Sequence, residues 1–156
     1  MLSLESIFKN EDKADLTYDS QLRKHLNQYT GLNEFIFNDI IMKDQIINLP
    51  NNRKLFCIVN YDTSEKEGSH WVAIVKDENL VFYFDSYGLF PLIEIKQRFP
   101  SQKKVYNDYA VQKKDSNICG HLCIAFIEHL VVNKKSYYEF LSECEKYSKR
   151  YKNDIQ

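Results

Sequence analysis

Runs of apolar residues in the middle of the chain predict a β-sheet. Residues 55–61, 71–76 and 80–84 are short, apolar and rich in β-branched and aromatic side chains, as strands are. The polar residues 77–79 predict a tight hairpin turn between the second and third of these strands. Because both strands of the hairpin are apolar on each side, we expect both faces of the sheet to be covered. Residues 103–111 predict a fourth strand.

Helical patterns lie on both sides of the predicted strands. The longest apolar run, residues 118–132, predicts a buried helix that begins near Cys119. The other predicted helices are residues 19–29, which Gly31 ends, and residues 34–41, 92–99 and 137–151. Helices followed by strands and then by further helices predict an α+β fold, in a single domain over residues 1–156.

Composition narrows the classes of protein to which the chain can belong. With 156 residues and 44% apolar residues, the chain is large enough to form its own core. Its formal net charge of −1 does not require nucleic acid or an anionic membrane as a partner. The N-terminus lacks a secretory signal, and no apolar run is long enough to span a membrane. We therefore expect an intracellular monomer whose four cysteines are thiols rather than a disulfide framework.

The candidate chemistry is concentrated around Cys119, at the start of the long helix. The positive end of the helix dipole favours a thiolate there, so Cys119 is a candidate nucleophile. Gln112 lies seven positions earlier, and its amide would join the Cys119 backbone N–H in stabilising an oxyanion. Gly120 leaves the backbone uncluttered at the helix entry and is a candidate substrate-binding position. A lone cysteine is more often a small core residue, and Cys123 fits that description.

Four histidines compete for the role of catalytic base, and His70 fits it best. It lies between a polar loop, residues 62–69, and a buried strand, where a sheet presents side chains to a cleft. Asp85 ends the partner strand of the hairpin, so its carboxylate should lie near the imidazole and orient it. Trp71 directly follows His70 and would either wall the substrate cleft or belong to the core.

The other histidines fit the role less well. His121 lies only two residues after Cys119, which turns it to a different face of the helix. His129 is on the same helix. His25 follows an apolar position of the first predicted helix and has no evident polar neighbour.

A zinc site is an alternative use of the cysteines. Its ligands would be Cys119, His121 and Cys123 with Cys57 or Cys144. The first three alternate by two on a predicted helix, so they cannot converge on one ion, and the paired spacing of zinc knuckles is absent. We therefore expect no metal and no other cofactor.

Four short motifs occur in an order and spacing that resemble a known protease family. They are residues 68–71, 82–88, 111–112 and 117–120. Together they resemble the adenovirus-type maturation protease, adenain, whose relatives occur in virophages and Polinton-type elements. Its clan also contains the proteases that remove ubiquitin-like proteins. The resemblance covers roughly residues 55–130 and implies a papain-like α+β fold, with a central helix that carries the nucleophile and packs on a mixed β-sheet.

The resemblance also implies residue roles and a function. The implied roles are base for His70, orienter for Asp85, oxyanion donor for Gln112 and nucleophile for Cys119. The implied function is a cysteine endopeptidase that cleaves capsid or virion precursor proteins after small residues such as glycine. Two alternatives stay open: a protease that removes ubiquitin-like proteins, and a binding module on an inactive protease scaffold.

Three departures from adenain bear on the expected partners. Asp85 stands where adenain has a glutamate, as in the proteases for ubiquitin-like proteins. Adenain is basic and is activated by DNA, whereas this chain has a net charge of −1. Adenain also links a cysteine to a viral peptide cofactor shortly before its glutamine, and residues 101–110 contain no cysteine. A protein substrate is therefore the expected partner, and neither a DNA nor a peptide activator is indicated.

Overall fold

A mixed five-stranded β-sheet lies at the centre of the protein in the computed structural model, which describes residues 3–15, 19–62 and 70–153. The strands lie side by side in chain order: β1 (Ile36–Met42), β2 (Leu55–Asn60), β3 (Trp71–Lys76), β4 (Leu80–Phe84) and β5 (Lys103–Tyr106). Neighbours among β2, β3 and β4 are antiparallel, whereas β1 runs parallel to β2 and β5 runs parallel to β4. The predicted strands at β2, β3 and β4 are confirmed, and β3 and β4 have the predicted bounds.

Five α-helices occur in the described part of the chain. They are α1 (Leu4–Lys9), α2 (Asp19–Asn27), α3 (Ile93–Arg98), α4 (Cys119–Ile127) and α5 (Tyr137–Asn153). The predictions at α2, α3, α4 and α5 are confirmed, although the predicted long helix continues beyond α4 as a π-helical turn, Glu128–Val132. No α-helix was predicted at α1. None of the helices among the described residues is long and apolar enough to cross a membrane.

β1 shows that the predicted helix over residues 34–41 is wrong. Its apolar residues lie four apart in two pairs, a spacing that also suits a helix. In the structure they pair with β2, and the register is interrupted by a bulge at which Asp39 has a φ of 74°. Arg23 of α2 supports the bulge, because its Nε donates to Asp39 Oδ1 at 2.7 Å. Pairing with a strand farther along the chain therefore overrides the local pattern.

Both faces of the sheet are covered, as predicted, because side chains alternate between the faces along each strand. One face packs against α4 and carries Phe56, Ile58, Ala73, Val75 and Phe84. The other face packs against α3 and the 3₁₀ helix Lys43–Asn48 and carries Cys57, Val59, Val72, Ile74 and Tyr83. Every residue of α4 except His121 is buried, as is typical of a helix that lies between layers.

β5 is shorter than the strand predicted over residues 103–111. The chain leaves the sheet at Asn107, whose side-chain amide bonds to the backbone N–H and carbonyl of Asp85. The backbone N–H of Gln112 then donates to the Ser86 carbonyl at 3.1 Å. These contacts bring the segment after β5 against the end of β4, where the candidate residues lie.

Candidate active site

The edge of the sheet where β3 begins and β4 ends brings His70 and Asp85 together. His70 directly precedes β3 and Asp85 directly follows β4, so the antiparallel pairing places both at the same end of the hairpin. His70 Nε2 lies 2.6 Å from Asp85 Oδ1. Both side chains are buried, with 8% of His70 and none of Asp85 exposed. The contact that the hairpin predicted is present.

Cys119 is the second neighbour of the His70 ring. α4 packs across β3, which brings its first residue to the same edge of the sheet. Because Nε2 of His70 is directed to Asp85, Nδ1 is the nitrogen that remains for the thiol. Among the described residues, Nδ1 makes no hydrogen bond of standard geometry, and Cys119 is one of the groups that raise the pKa of the ring.

The environment of His70 favours its charged form. Burial lowers the pKa of the ring, because the imidazolium loses water. Hydrogen bonding and charge, first from the Asp85 carboxylate and then from the Cys119 thiol, outweigh this effect and raise the pKa from 6.5 to about 9. At neutral pH the ring therefore holds a proton beside the thiol, an arrangement that favours a thiolate–imidazolium pair.

Asn107, which the sequence placed inside a strand, fixes the backbone of Asp85. Its Oδ1 accepts from the Asp85 N–H at 3.2 Å, and its Nδ2 donates to the Asp85 carbonyl at 2.6 Å. The hydroxyl of Tyr137 donates to Asn107 Oδ1 at 3.1 Å and links α5 to this contact. The sequence did contain a signal, since Asn107 and Asp108 interrupt the predicted strand with two polar residues.

Tyr87 connects His70 to the loop that precedes α4. The centroids of the Tyr87 and His70 rings lie 4.4 Å apart, and the Tyr87 backbone N–H donates to Asp85 Oδ1 at 2.9 Å. The Tyr87 hydroxyl donates to the Lys114 carbonyl at 2.9 Å. Tyr87 belongs to the motif over residues 82–88, but no pattern in the sequence assigns it a role.

Gln112 is buried between the end of β4 and the loop that precedes α4. Its Oε1 accepts a hydrogen bond from Ser86 Oγ, and its Nε2 donates to the Ser116 carbonyl at 2.7 Å. Nε2 also lies 3.4 Å from the Tyr87 hydroxyl. These bonds fix the orientation of the carboxamide. The first backbone amides of an α-helix have no acceptor within the helix, so the Cys119 N–H suits the predicted oxyanion site, and the role of Gln112 there stays a prediction.

Trp71 and Gly120 directly follow the predicted base and the predicted nucleophile. Trp71 is the first residue of β3 and packs, half-buried, against the core that α4 shares with the sheet. Gly120 is buried in the first turn of α4. Their predicted contacts with substrate stay predictions. Most of the predicted loop over residues 62–69, with Gly68 and Ser69 of the first motif, lies outside the described residues.

His129 and His25 each pair with a carboxylate. His129 Nε2 lies 3.0 Å from Glu143 Oε2. The expectation that His25 lacks a polar neighbour is wrong, because its Nε2 lies 2.9 Å from Oε1 of the buried Glu128. Burial lowers the pKa of His121, and the charge of His25 adds to this effect. Of these histidines, His70 alone is held between a buried carboxylate and the Cys119 thiol.

The four cysteines are free thiols, as predicted, and all of them are buried. Burial raises the pKa of the thiols of Cys57, Cys123 and Cys144, which makes them poor nucleophiles. Cys119 differs from them because it lies at the sheet edge beside an imidazole. In the part of the chain that the structure describes, no group of three or more His, Cys, Asp or Glu side chains is arranged to hold a metal ion.

Comparison with known proteins establishes the fold. No protein-family model matches the chain, and no curated protein matches it significantly. The ASFV pS273R protease aligns with 85% of this chain at 21% identity, with a TM-score of 0.53. The SUMO protease Ulp1, with its catalytic cysteine oxidized to a sulfonic acid, aligns with 96% of this chain and 84% of its own at 11% identity, with a TM-score of 0.52.

The protein has the fold of these cysteine proteases. The predicted α+β architecture, in which a central helix packs on a mixed sheet, is confirmed. The chain spans 63% of the length of the pS273R chain that it matches. Both similar proteins are named as proteases.

Proposed function

We propose that the protein is a cysteine peptidase with Cys119 as its nucleophile. The observation that supports this most directly is the position of His70, which lies 2.6 Å from Asp85 and carries a raised pKa beside Cys119. A thiolate paired with an imidazolium is the reactive form of cysteine in enzymes of this kind. Similarity of fold to two cysteine proteases supports the same chemistry.

The proposed reaction has two steps. The Cys119 thiolate attacks the carbonyl carbon of the peptide bond, and negative charge moves to the carbonyl oxygen, where Gln112 Nε2 and the Cys119 N–H donate to it. His70 gives its proton to the leaving amine, and a thioester remains on Cys119. His70 then takes a proton from water, whose oxygen attacks the thioester and releases the acid product. Asp85 holds the ring in the required tautomer throughout.

Labelling with iodoacetamide at neutral pH, followed by peptide mass spectrometry, tests the nucleophile. We expect the wild-type protein to be labelled at Cys119, and Cys119→Ala to lose the label. Cys123→Ala is the matched control, because Cys123 lies one turn along the same helix and is fully buried. Labelling that persists in both variants, or that is absent from the wild type, would show that Cys119 is not the nucleophile.

For the substrate, we propose virion precursor proteins, cleaved after small residues such as glycine. The motifs over residues 68–71, 82–88, 111–112 and 117–120 support this through their adenain-like order. The fold similarity to the ASFV protease supports a viral role as well. The wild-type protein should cleave a capsid precursor, and Cys119→Ala should not.

Removal of a ubiquitin-like protein is the second candidate function. Asp85 is the acid of that branch of the clan, and the alignment with the SUMO protease Ulp1 covers 96% of this chain and 84% of the Ulp1 chain. Incubation with capsid precursor and with SUMO and ubiquitin fusions separates the candidates. Cleavage of the fusions alone would reject the maturation role. Cleavage of neither, together with an unlabelled Cys119, would favour a non-catalytic binding module.

A further inference from the structure

The loop that precedes α4, residues 113–118, is held by a distant part of the chain. We call it the pre-nucleophile loop. Glu11, in the 3₁₀ turn that follows α1, accepts two hydrogen bonds from it through Oε2. One comes from the Lys113 backbone N–H at 2.7 Å and the other from Ser116 Oγ at 2.8 Å. Glu11 and Lys113 are 102 positions apart, so the contact depends on the folded chain and not on local sequence.

Burial distinguishes Glu11 from its neighbour Asp12. Glu11 is 3% exposed, and a carboxylate that loses water must be hydrogen-bonded to be stable. The Lys113 N–H and the Ser116 hydroxyl supply these bonds, which are stronger with a charged acceptor than with a neutral one. The Asp12 side chain is 63% exposed and pairs with Lys113 Nζ at 3.0 Å, a contact that water screens.

Ser116 links Glu11 to Gln112. Its hydroxyl donates to Glu11, and its backbone carbonyl accepts from Gln112 Nε2 at 2.7 Å. Gln112 Nε2 is one of the two proposed oxyanion donors. Glu11 therefore influences the position of this donor through a single residue, Ser116. The Tyr87 hydroxyl also donates to the Lys114 carbonyl at 2.9 Å, so side chains from two distant parts of the chain hold the loop.

We propose that Glu11 is a positioning residue for the oxyanion site. It sets the pre-nucleophile loop so that Gln112 Nε2 and the first amide of α4 face the same carbonyl oxygen. The inference rests on the proposed peptidase function. It does not involve the pair of His70 and Cys119, which β3 and α4 position without Glu11. Loss of Glu11 should therefore slow peptide hydrolysis and leave the thiolate reactive.

Glu11→Ala tests the proposal with a peptide that releases aminomethylcoumarin after Gly-Gly. We expect kcat to fall about 10- to 100-fold with little change in KM, since a displacement of about 1 Å in a catalytic group can cost about 100-fold. Labelling of Cys119 by iodoacetamide should keep its wild-type rate. Asp12→Ala is the matched control, because it removes a neighbouring carboxylate that touches the same loop from solvent, and it should keep the wild-type kcat.

An unchanged kcat in Glu11→Ala overturns the proposal. A labelling rate that falls in step with kcat also overturns it, because the damage would then reach the pair of His70 and Cys119. If Glu11→Ala does not fold, Glu11→Gln and Ser116→Ala replace it. Glu11→Gln removes the charge, and Ser116→Ala removes the hydroxyl that donates to Glu11 and also lies 3.2 Å from the Lys113 carbonyl. The same two criteria apply to each variant.

Hydrogen exchange tests the contact without any activity. The Lys113 amide, which donates to Glu11, should exchange faster in the Glu11 variants than in the wild type or in Asp12→Ala. Unchanged exchange would reject the positioning role even in an active peptidase. If the wild-type protein cleaves no peptide, the proposed function fails, whereas faster exchange in the Glu11 variants would still support the role of Glu11 in setting the loop.

Discussion

The two sides of the candidate site are held in place in different ways. On the His70 side, the pairing of β3 with β4 brings His70 to Asp85, so regular structure sets the geometry. On the Gln112 side the backbone is irregular, and separate side-chain bonds from Ser86 and Glu11 fix it. Sites on strands and helices are more rigid than sites on loops. Single substitutions around the loop should therefore disturb oxyanion stabilisation while leaving the thiolate intact.

We call the His70 side of the site the strand side, because the pairing of β3 with β4 positions it. His70→Ala removes the proposed base from this side and should have the largest effect. We expect kcat to fall at least about 10²- to 10⁴-fold, the usual contribution of a general acid–base group. The domain should stay folded, because Asp85 keeps its bonds to Asn107 and to the Tyr87 N–H. Kinetics on the Gly-Gly peptide and circular dichroism measure the two outcomes.

His129→Ala is the control for that experiment, since His129 also pairs with a carboxylate, that of Glu143, but does so on a helix. It should retain activity. A His70→Ala protein that still turns over substrate would refute the role of His70. A fall of equal size in His129→Ala would show that loss of any carboxylate-paired histidine disturbs the enzyme.

The strand side was predictable from sequence because its information is local. The apolar runs of β3 and β4 are bounded by the polar turn over residues 77–79, and a short turn fixes the register of a hairpin. That register places His70 and Asp85 at the same end of the hairpin. The thiol at the start of α4 was likewise visible as a cysteine that opens a long apolar run.

We call the Gln112 side of the site the loop side. Its geometry was not predictable from sequence, because the residues that bond to one another there are far apart in the chain. Glu11 and Lys113 are separated by 102 positions, and Asn107 and Asp85 by 22. Nothing in the residues around Glu11 indicates that it will be buried. The helix predicted over residues 34–41 was wrong for the same reason. The strand β1 forms because it pairs with β2, whereas the local spacing of its apolar residues suits a helix equally well.

Gln112→Ala removes the proposed oxyanion donor from the loop side. Loss of one oxyanion donor typically costs about 10²- to 10³-fold in kcat, and we expect a loss in that range with normal labelling of Cys119. Ser86→Ala is a graded control, because it removes only the bond to Gln112 Oε1, and it should cost less. An unchanged rate in Gln112→Ala would remove the residue from the site. Slower labelling would show that it acts on the thiol instead.

The pH dependence of hydrolysis reports on the strand side alone. The raised pKa of His70 means that the ring keeps its proton until the pH approaches about 9, rather than losing it near 6.5. Because the leaving amine needs that proton, kcat/KM should fall about tenfold per pH unit above this value. Labelling by iodoacetamide needs only the thiolate and should not fall.

Asp85→Asn tests the cause of the fall in kcat/KM at high pH, which we call the alkaline limb of the pH profile. Asp85 contributes to the raised pKa of His70 through both a hydrogen bond and its charge, so the limb should move to lower pH in this variant. Gln112→Ala should leave the limb where it is. A limb that starts near pH 7 in the wild type, or one that Asp85→Asn does not move, would contradict the assigned environment of His70.

Tyr87→Phe should have the smallest effect and is the sharpest test of whether the two sides are independent. The variant keeps the ring that lies 4.4 Å from His70 and loses the hydroxyl, with its bond to the Lys114 carbonyl and its longer contacts with the Ser116 carbonyl and Gln112 Nε2. A neutral hydrogen bond contributes about 0.5–1.5 kcal/mol, so kcat should fall about two- to tenfold with labelling unchanged. Tyr106→Phe, at an exposed position, should have no effect. Slower labelling of Cys119 in Tyr87→Phe would show that the two sides are not independent. The hydroxyl would then also influence His70, because it holds the Tyr87 ring against the His70 ring.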